Sequence, residues 1–204
     1  MEKIEIKKEK LLLVEGNDDH NFFQKLMQEI KIENIQTISL GGKNNFRTPN
    51  FKSVINTPGF REVKSLGIVQ DADEDAERVF KSICAILKEC ELPEPQKPME
   101  ITMGNLKVGV LIIPPSSKNG KIEDLCFSSL NGYTEMICID NYFKCLEEKL
   151  SSEKFPKDLS KAKIQAFLAS REESVPHLGI AAQRGYFPLD HSNFEEIKEF
   201  LRSL

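Results

Sequence analysis

Two short apolar runs in this chain stop in carboxylates, and those stops are where chemistry can sit. Leu11-Leu12-Leu13-Val14 leads into Glu15-Gly16-Asn17-Asp18-Asp19, and Leu66-Gly67-Ile68-Val69-Gln70 leads into Asp71-Ala72-Asp73. Gathered carboxylate oxygens are what hard divalent cations bind, so Mg²⁺ is the expected cofactor, with Mn²⁺ as the alternative. Such an ion polarises phosphoryl oxygens and activates water, which makes metal-assisted phosphate chemistry the leading idea. Glu15, ending a buried run, is the candidate catalytic acid/base or ligand. Helix-dipole complementation explains Asp18 and Asp19 but not a glutamate in that place. Asp19, Asp71 and Asp73 are candidate metal ligands, and Glu77, one turn further, can reach back to the same site. In an extended segment Asp71 and Asp73 project to one side, and carboxylates so close repel unless a cation lies between them. The plainer reading of Asp73, Glu74 and Asp75 is a helix N-terminus.

Other candidates are less specific. Glu123 and Asp124 are either outer ligands or helix-start carboxylates. Gly41-Gly42-Lys43 joins a strand to a helix and can hold a phosphate through backbone amides, with Arg47 nearby, although a plain turn explains Gly-Gly as well. Lys118 and Lys121 flank a second candidate phosphate-facing loop. Gly16 would allow a sharp turn and close approach of a phosphate or metal. His20 is expected to bond locally, and His191 to pack or cap beside a Ser192/Glu195 capping box. The five cysteines show no Cys-x-x-Cys spacing; Cys84, Cys126 and Cys138 read as buried thiols and zinc as improbable.

Strands and helices must position these groups. Leu11–Val14, Ile35–Leu40 and Leu66–Gln70 read as strands. Phe22, Phe23, Leu26, Met27 and Ile30 form one helical stripe, capped by Asn17 or Asp18, and Ala76, Val79, Phe80, Ile83, Ile86 and Leu87 form another. Phe51–Ile55 reads as a short helix. Glu100–Met103 and Lys107–Ile113 are a hairpin or one strand with an extension, and helical pattern prevails from about Ile122. Strand–helix alternation followed by helices gives an α/β fold: a mostly parallel central sheet flanked by helices, with a helical C-terminal region. The expected division is a core over 1–130 and a helical region over 131–204, packed together. In open sheets of this kind ligand groups gather at the carboxyl ends of the strands.

The chain has 204 residues, 40% hydrophobic and 29% charged, with a net charge of −4. No apolar run approaches the ~20 residues that span a bilayer, and Met1–Lys10 lacks the apolar core of a signal peptide. No membrane partner and a cytoplasmic location are therefore expected. Acidity weighs against strong unaided duplex binding, since phosphate contacts dominate that affinity, but metal-site carboxylates themselves lower the pI.

Taken together the residues resemble the toprim domain, the metal-binding α/β module of topoisomerases, bacterial primases, small ribosomal-RNA maturases and overcoming-lysogenization-defect nucleases. Its first motif is an apolar strand ending in Glu-Gly with an acid four positions after the Glu, as in Glu15-Gly16-Asn17-Asp18-Asp19. Its second is Asp-x-Asp with a glutamate four residues later, matched by Asp71, Asp73 and Glu77. Ala76 stands where many toprim enzymes carry glycine. Topoisomerase tyrosine domains and primase zinc or helicase segments have no counterpart here. The resemblance covers roughly the N-terminal two-thirds and is closest to small stand-alone toprim-like proteins, which the run Gly185–His191 also resembles. It implies a toprim-like (Rossmann-like) fold and a Mg²⁺-dependent, nuclease-like activity on DNA or RNA. The alternative is a non-catalytic module, or one that works only with an ATPase or other protein partner. A receiver-like phosphoryl acceptor is a third reading, but it gives no reason for Glu15-Gly16.

Overall fold

The computed structural model describes residues 5–204. Met1–Ile4, part of the stretch read above as lacking a leader, lie outside the described residues. Four strands, β1 (Lys10–Val14), β2 (Ile35–Ser39), β3 (Ser65–Asp71) and β4 (Lys107–Ile113), form one sheet in the order β2-β1-β3-β4. Every pairing is parallel, with Leu13 opposite both Ile38 and Ile68, and Asp71 opposite Ile113. The chain runs outward from β1 to β2, then returns to build β3 and β4 on β1's other side. The order therefore reverses between β1 and β3, where Rossmann-like sheets open a crevice at their carboxyl ends. Glu15 and Asp71 stand at those two strand ends.

Continuous apolar runs suit strands covered on both faces. On one face Leu12, Val14, Val69 and Leu111 meet α1 (Asn17–Glu29) and the C-terminal helices. On the other, Leu11, Leu13, Ile68 and Val110 meet α2 (Thr48–Ile55) and α3 (Ala76–Glu89). The C-terminal helices are α4 (Ile122–Ser129), α5 (Thr134–Lys149), α6 (Leu159–Ala169), α7 (Leu178–Gln183) and α8 (Glu195–Ser203). Their apolar residues Cys126, Ile139, Phe167, Ala181 and Phe200 join the same buried cluster as Phe22 and Leu26 of α1.

Two close approaches fix how these helices sit. Gly67 and Gly109 are register partners in β3 and β4. A Cβ on Gly67 would lie 2.6 Å from a Leu204 methyl, and one on Gly109 2.9 Å from the Phe200 ring, so α8 and the chain end rest on bare backbone. At Gly179 a Cβ would stand 2.4 Å from the Asp18 carbonyl, which packs α7 directly on the start of α1.

Several local expectations change. Lys107–Ile113 is a single strand; Ile101 makes only an isolated bridge to Gly109, so the segment before it is an extension and not a hairpin arm. Gly16, not Asn17 or Asp18, is the residue before α1, because Asp19 reaches back to its N–H. A short 3-10 turn, Ser192–Phe194, precedes α8, and the His191 ring accepts the Asn193 N–H in place of a Ser192/Glu195 box. Cys126 is buried, but Cys84 is partly exposed and Cys138 exposed, since the apolar side of α5 is carried by Met136, Ile139 and Phe143. His20 Nδ1 is buried without a partner among the described residues, contrary to the local bond expected of it.

Candidate metal and phosphate site

The site forms at the β1/β3 switch point. α1 starts right after Glu15, so the Asp19 carboxylate turns inward, and its Oδ2 accepts the Gly16 N–H at 2.8 Å. Asp71 closes β3 on the same face as α1 and α4, with Oδ1 accepting the Ile122 N–H at 3.1 Å. That bond joins the end of β3 to the first turn of α4, which carries Glu123.

Four carboxylates thus crowd one place. Burial pushes the Asp71 pKa well above the ordinary aspartate value, and the nearby charges of Asp19, Glu123 and Glu15 push it further; the Ile122 N–H opposes them. Asp19 is raised by burial, by Glu123 and by Asp18, against the Gly16 N–H. Glu15 is raised by burial, Asp19 and Asp73, and lowered by the Lys43 charge and backbone amide. Burial first, and the neighbouring carboxylates second, make Asp71, Asp19 and Glu15 poor anions.

Asp73 takes a different position from the one its spacing suggests. At φ 50° it is not extended, so it does not continue the face of Asp71. Its backbone pairs with Gly120 in both directions, at 2.9 and 2.8 Å, tying the end of β3 to the loop before α4. Its carboxylate is ion-paired with Lys43. Glu77 stays out of the cluster: its side chain is 77% exposed and bonds Lys81 at 2.5 Å, as an i,i+4 pair on a solvated helix face does. Asp124 caps α4, its Oδ2 accepting the Lys121 N–H at 2.7 Å, whereas Glu123 faces the cluster with its side chain 18% exposed and Lys161 Nζ 3.9 Å away. Of this pair, Asp124 is the helix-start carboxylate, and Glu123 lies near enough to Asp71 and Asp19 for its charge to act on both.

The glycines and lysines divide as well. Gly42, at φ 116°, donates its N–H to the Glu15 carbonyl at 2.7 Å, so that amide binds the strand end. Lys43 lies between Asp73 and Glu15 and is occupied by carboxylate. Lys118 is exposed, and its carbonyl accepts the Ala76 N–H at the start of α3. Gly16 is extended, and a Cβ there would meet only Asp19 Oδ2 at 3.5 Å, so its backbone does not require glycine.

The donor chemistry fits a hard cation: Asp19 and Asp71 each keep one oxygen without a protein partner among the described residues, beside Glu15 and Glu123. The ligand sphere is not preassembled, however. Among the described residues, no three acidic, histidine or cysteine side chains already converge as ion ligands.

Two residues that spacing did not single out also belong to this edge. Gln70 directly precedes Asp71 and, by strand alternation, faces the opposite side, toward α2 and α3. Its signal is a polar residue ending an otherwise apolar strand. Arg78 sits in the first turn of α3, where the helix dipole disfavours a cation, and that mismatch is its signal.

Comparison with known proteins bears on family and fold. The family model described as "Protein of unknown function (DUF3226)" matches residues 9–204, and the chain belongs to that family. No curated protein matches it in sequence. Among solved structures it is similar to hypothetical protein PH0156 from Pyrococcus horikoshii OT3, at 18% identity and a TM-score of 0.58 over 97% of this chain and 95% of that one. It also matches the C-terminal region of the Burkholderia pseudomallei OLD protein (13% identity, TM-score 0.48, 97% and 98% covered). The C-terminal region of the Xanthomonas campestris pv. campestris OLD protein follows at 14% identity and a TM-score of 0.43, with 96% and 99% covered. The Pyrococcus likeness is one of fold. Among the described residues no helix is long and apolar enough to cross a membrane.

Proposed function

We propose that this member of the DUF3226 family carries out divalent-metal-dependent, nuclease-like phosphodiester chemistry on DNA or RNA, at the carboxyl edge between β1 and β3. The observation that carries the reading is Asp71: partly buried, and raised by three neighbouring carboxylates with no cationic side chain among the causes. Such an arrangement is stable as anions only if a cation joins it. Mg²⁺ suits the oxygen donors, and Mn²⁺ would serve as well.

Asp71 and Asp19 would hold the ion, with Glu123 adjoining and Asp73 entering once Lys43 leaves it. When bound, the ion would polarise a phosphoryl oxygen and lower the pKa of a water. Glu15 has the part of proton carrier: its raised pKa brings it toward the range where a carboxyl group both takes and gives a proton. Lys43, released from Asp73, is placed to meet phosphate charge. Glu77 has no role in this scheme.

The test is cleavage of labelled single- and double-stranded DNA and RNA with Mg²⁺ or Mn²⁺, for the parent, Asp71→Ala and Glu15→Gln. Metal-dependent cleavage by the parent that both variants lose supports the reading. A parent that binds metal at Asp71 but cleaves nothing favours a second reading, a module activated by an ATPase or other partner. The Lys43–Asp73 ion pair favours that alternative, because it ties up a ligand until something displaces the lysine. Cleavage appearing only with a co-purified partner would establish it.

A further inference from the structure

Across β3 from the carboxylates lies a cleft of about 310 Å³ on the α2/α3 side, lined by Lys43, Phe46, Arg47, Gln70, Arg78 and Val79. No acidic side chain lines it among the described residues. Arg47 and Arg78 are exposed, and neither forms an ion pair among the described residues. Two free guanidiniums facing one concavity, in a chain of net charge −4, are a local reversal of the protein's field.

Gln70 supplies the second observation. It is 9% exposed, lines the cleft, and its carboxamide takes no hydrogen bond within the described residues. The carboxamide opens into the cleft, so its donor and its acceptor are both available to a ligand seated there. The Phe46 ring and Val79 give the same cleft an apolar wall.

The geometry points to a subsite for one unpaired nucleotide of a single strand. Its phosphate would lie on Arg47 and Arg78 and its base edge on Gln70, beside the metal-binding edge. Guanidinium forks match phosphate oxygens, and a carboxamide offers the donor–acceptor pair that base edges read. The volume is enough for one base with its sugar. This deepens the proposed reaction and rests on it for its purpose, since it would seat the residue next to the phosphate being cut. It gives β3 two jobs: Asp71 faces the metal, and Gln70 faces the base.

The test is fluorescence anisotropy with a short labelled single strand, in DNA and RNA forms, in Ca²⁺ buffer so that turnover does not intrude. A blunt duplex, an abasic strand and free mononucleotides serve as competitors. The proteins are the parent, Arg47→Ala/Arg78→Ala and Gln70→Leu, each checked for an unchanged melting temperature and for Mn²⁺ binding by calorimetry. The parent is expected to prefer the single strand over the duplex. The arginine double variant should bind about tenfold or more weakly, with a salt dependence shallower by about two, and keep Mn²⁺. Gln70→Leu should lose the preference for a strand over its abasic form. Competition by a free mononucleotide as strong as that by the strand would make the free nucleotide the ligand of the same subsite. A parent that does not bind the single strand, or a double variant binding within about twofold of it, overturns the subsite. Mn²⁺ binding absent in every protein while the arginine effect persists would overturn the metal reading and leave the cleft standing.

Discussion

The two sides of the β3 carboxyl end make opposite arrangements from neighbouring residues. Toward α1 and α4, burial and the neighbouring carboxylates, Glu123 among them, raise the pKa values of Asp71, Asp19 and Glu15. Toward α2 and α3, Arg47 and Arg78 line a cleft free of acids among the described residues. Lys43 and Asp73 cross the divide, joined to each other. That segregation, more than any single residue, is what the proposed function rests on, with a cation taken up on one side and phosphate on the other.

The largest effect should come from removing the acidic side. Asp71→Ala is expected to lower metal-dependent cleavage by about 10³-fold or more, measured at saturating Mn²⁺. Glu15→Gln should cost about 10²–10⁴-fold in kcat while leaving metal binding in place, if its part is proton transfer. Loss of metal binding in that variant would move Glu15 from proton carrier to ligand.

Stability against pH reads the same crowding without catalysis. Because folding raises the Asp71 pKa, the folded chain binds its proton more tightly than the unfolded chain does. Its contribution to stability is fully present below the ordinary value of 3.8 and is lost as pH rises through the folded value. Asp71→Asn should therefore raise the metal-free melting temperature at neutral pH, with the gain vanishing in acid, while the Ile122 bond is kept. Added Mg²⁺ should stabilise the parent and not the variant. A parent more stable than Asp71→Asn at neutral pH without metal would break the idea of unreconciled charge.

The smallest effect belongs to Glu77, outside the cluster. Its exposed pair with Lys81 adds little to stability, so Glu77→Ala should melt near the parent and bind metal equally. A lost metal site in Glu77→Ala would show that substrate or ion draws it inward.

Much of this was legible in the residues. Apolar runs ending in Glu15 and Asp71 put both acids at strand ends, and strand–helix alternation led to a parallel sheet. What spacing could not show was direction. Asp73 leaves the extended path at φ 50°, so the two aspartates part company. Glu77 and Asp124 have motif-compatible spacing, yet helix rotation gives one to Lys81 and the other to the cap of α4. The basic cleft was hidden because Lys43, Arg47, Gln70 and Arg78 lie on three segments that meet only in the fold, with Lys43–Arg47 alone as a local hint.

The most direct measurement is Mg²⁺ and Mn²⁺ calorimetry on the parent and an Asp71→Asn/Asp73→Asn variant, repeated at falling pH. The parent should bind metal, with an affinity that weakens as protons compete for the raised carboxylates, and the variant should bind none. Equal binding by both, or a parent that binds no metal at neutral pH, would contradict a metal site at these carboxylates.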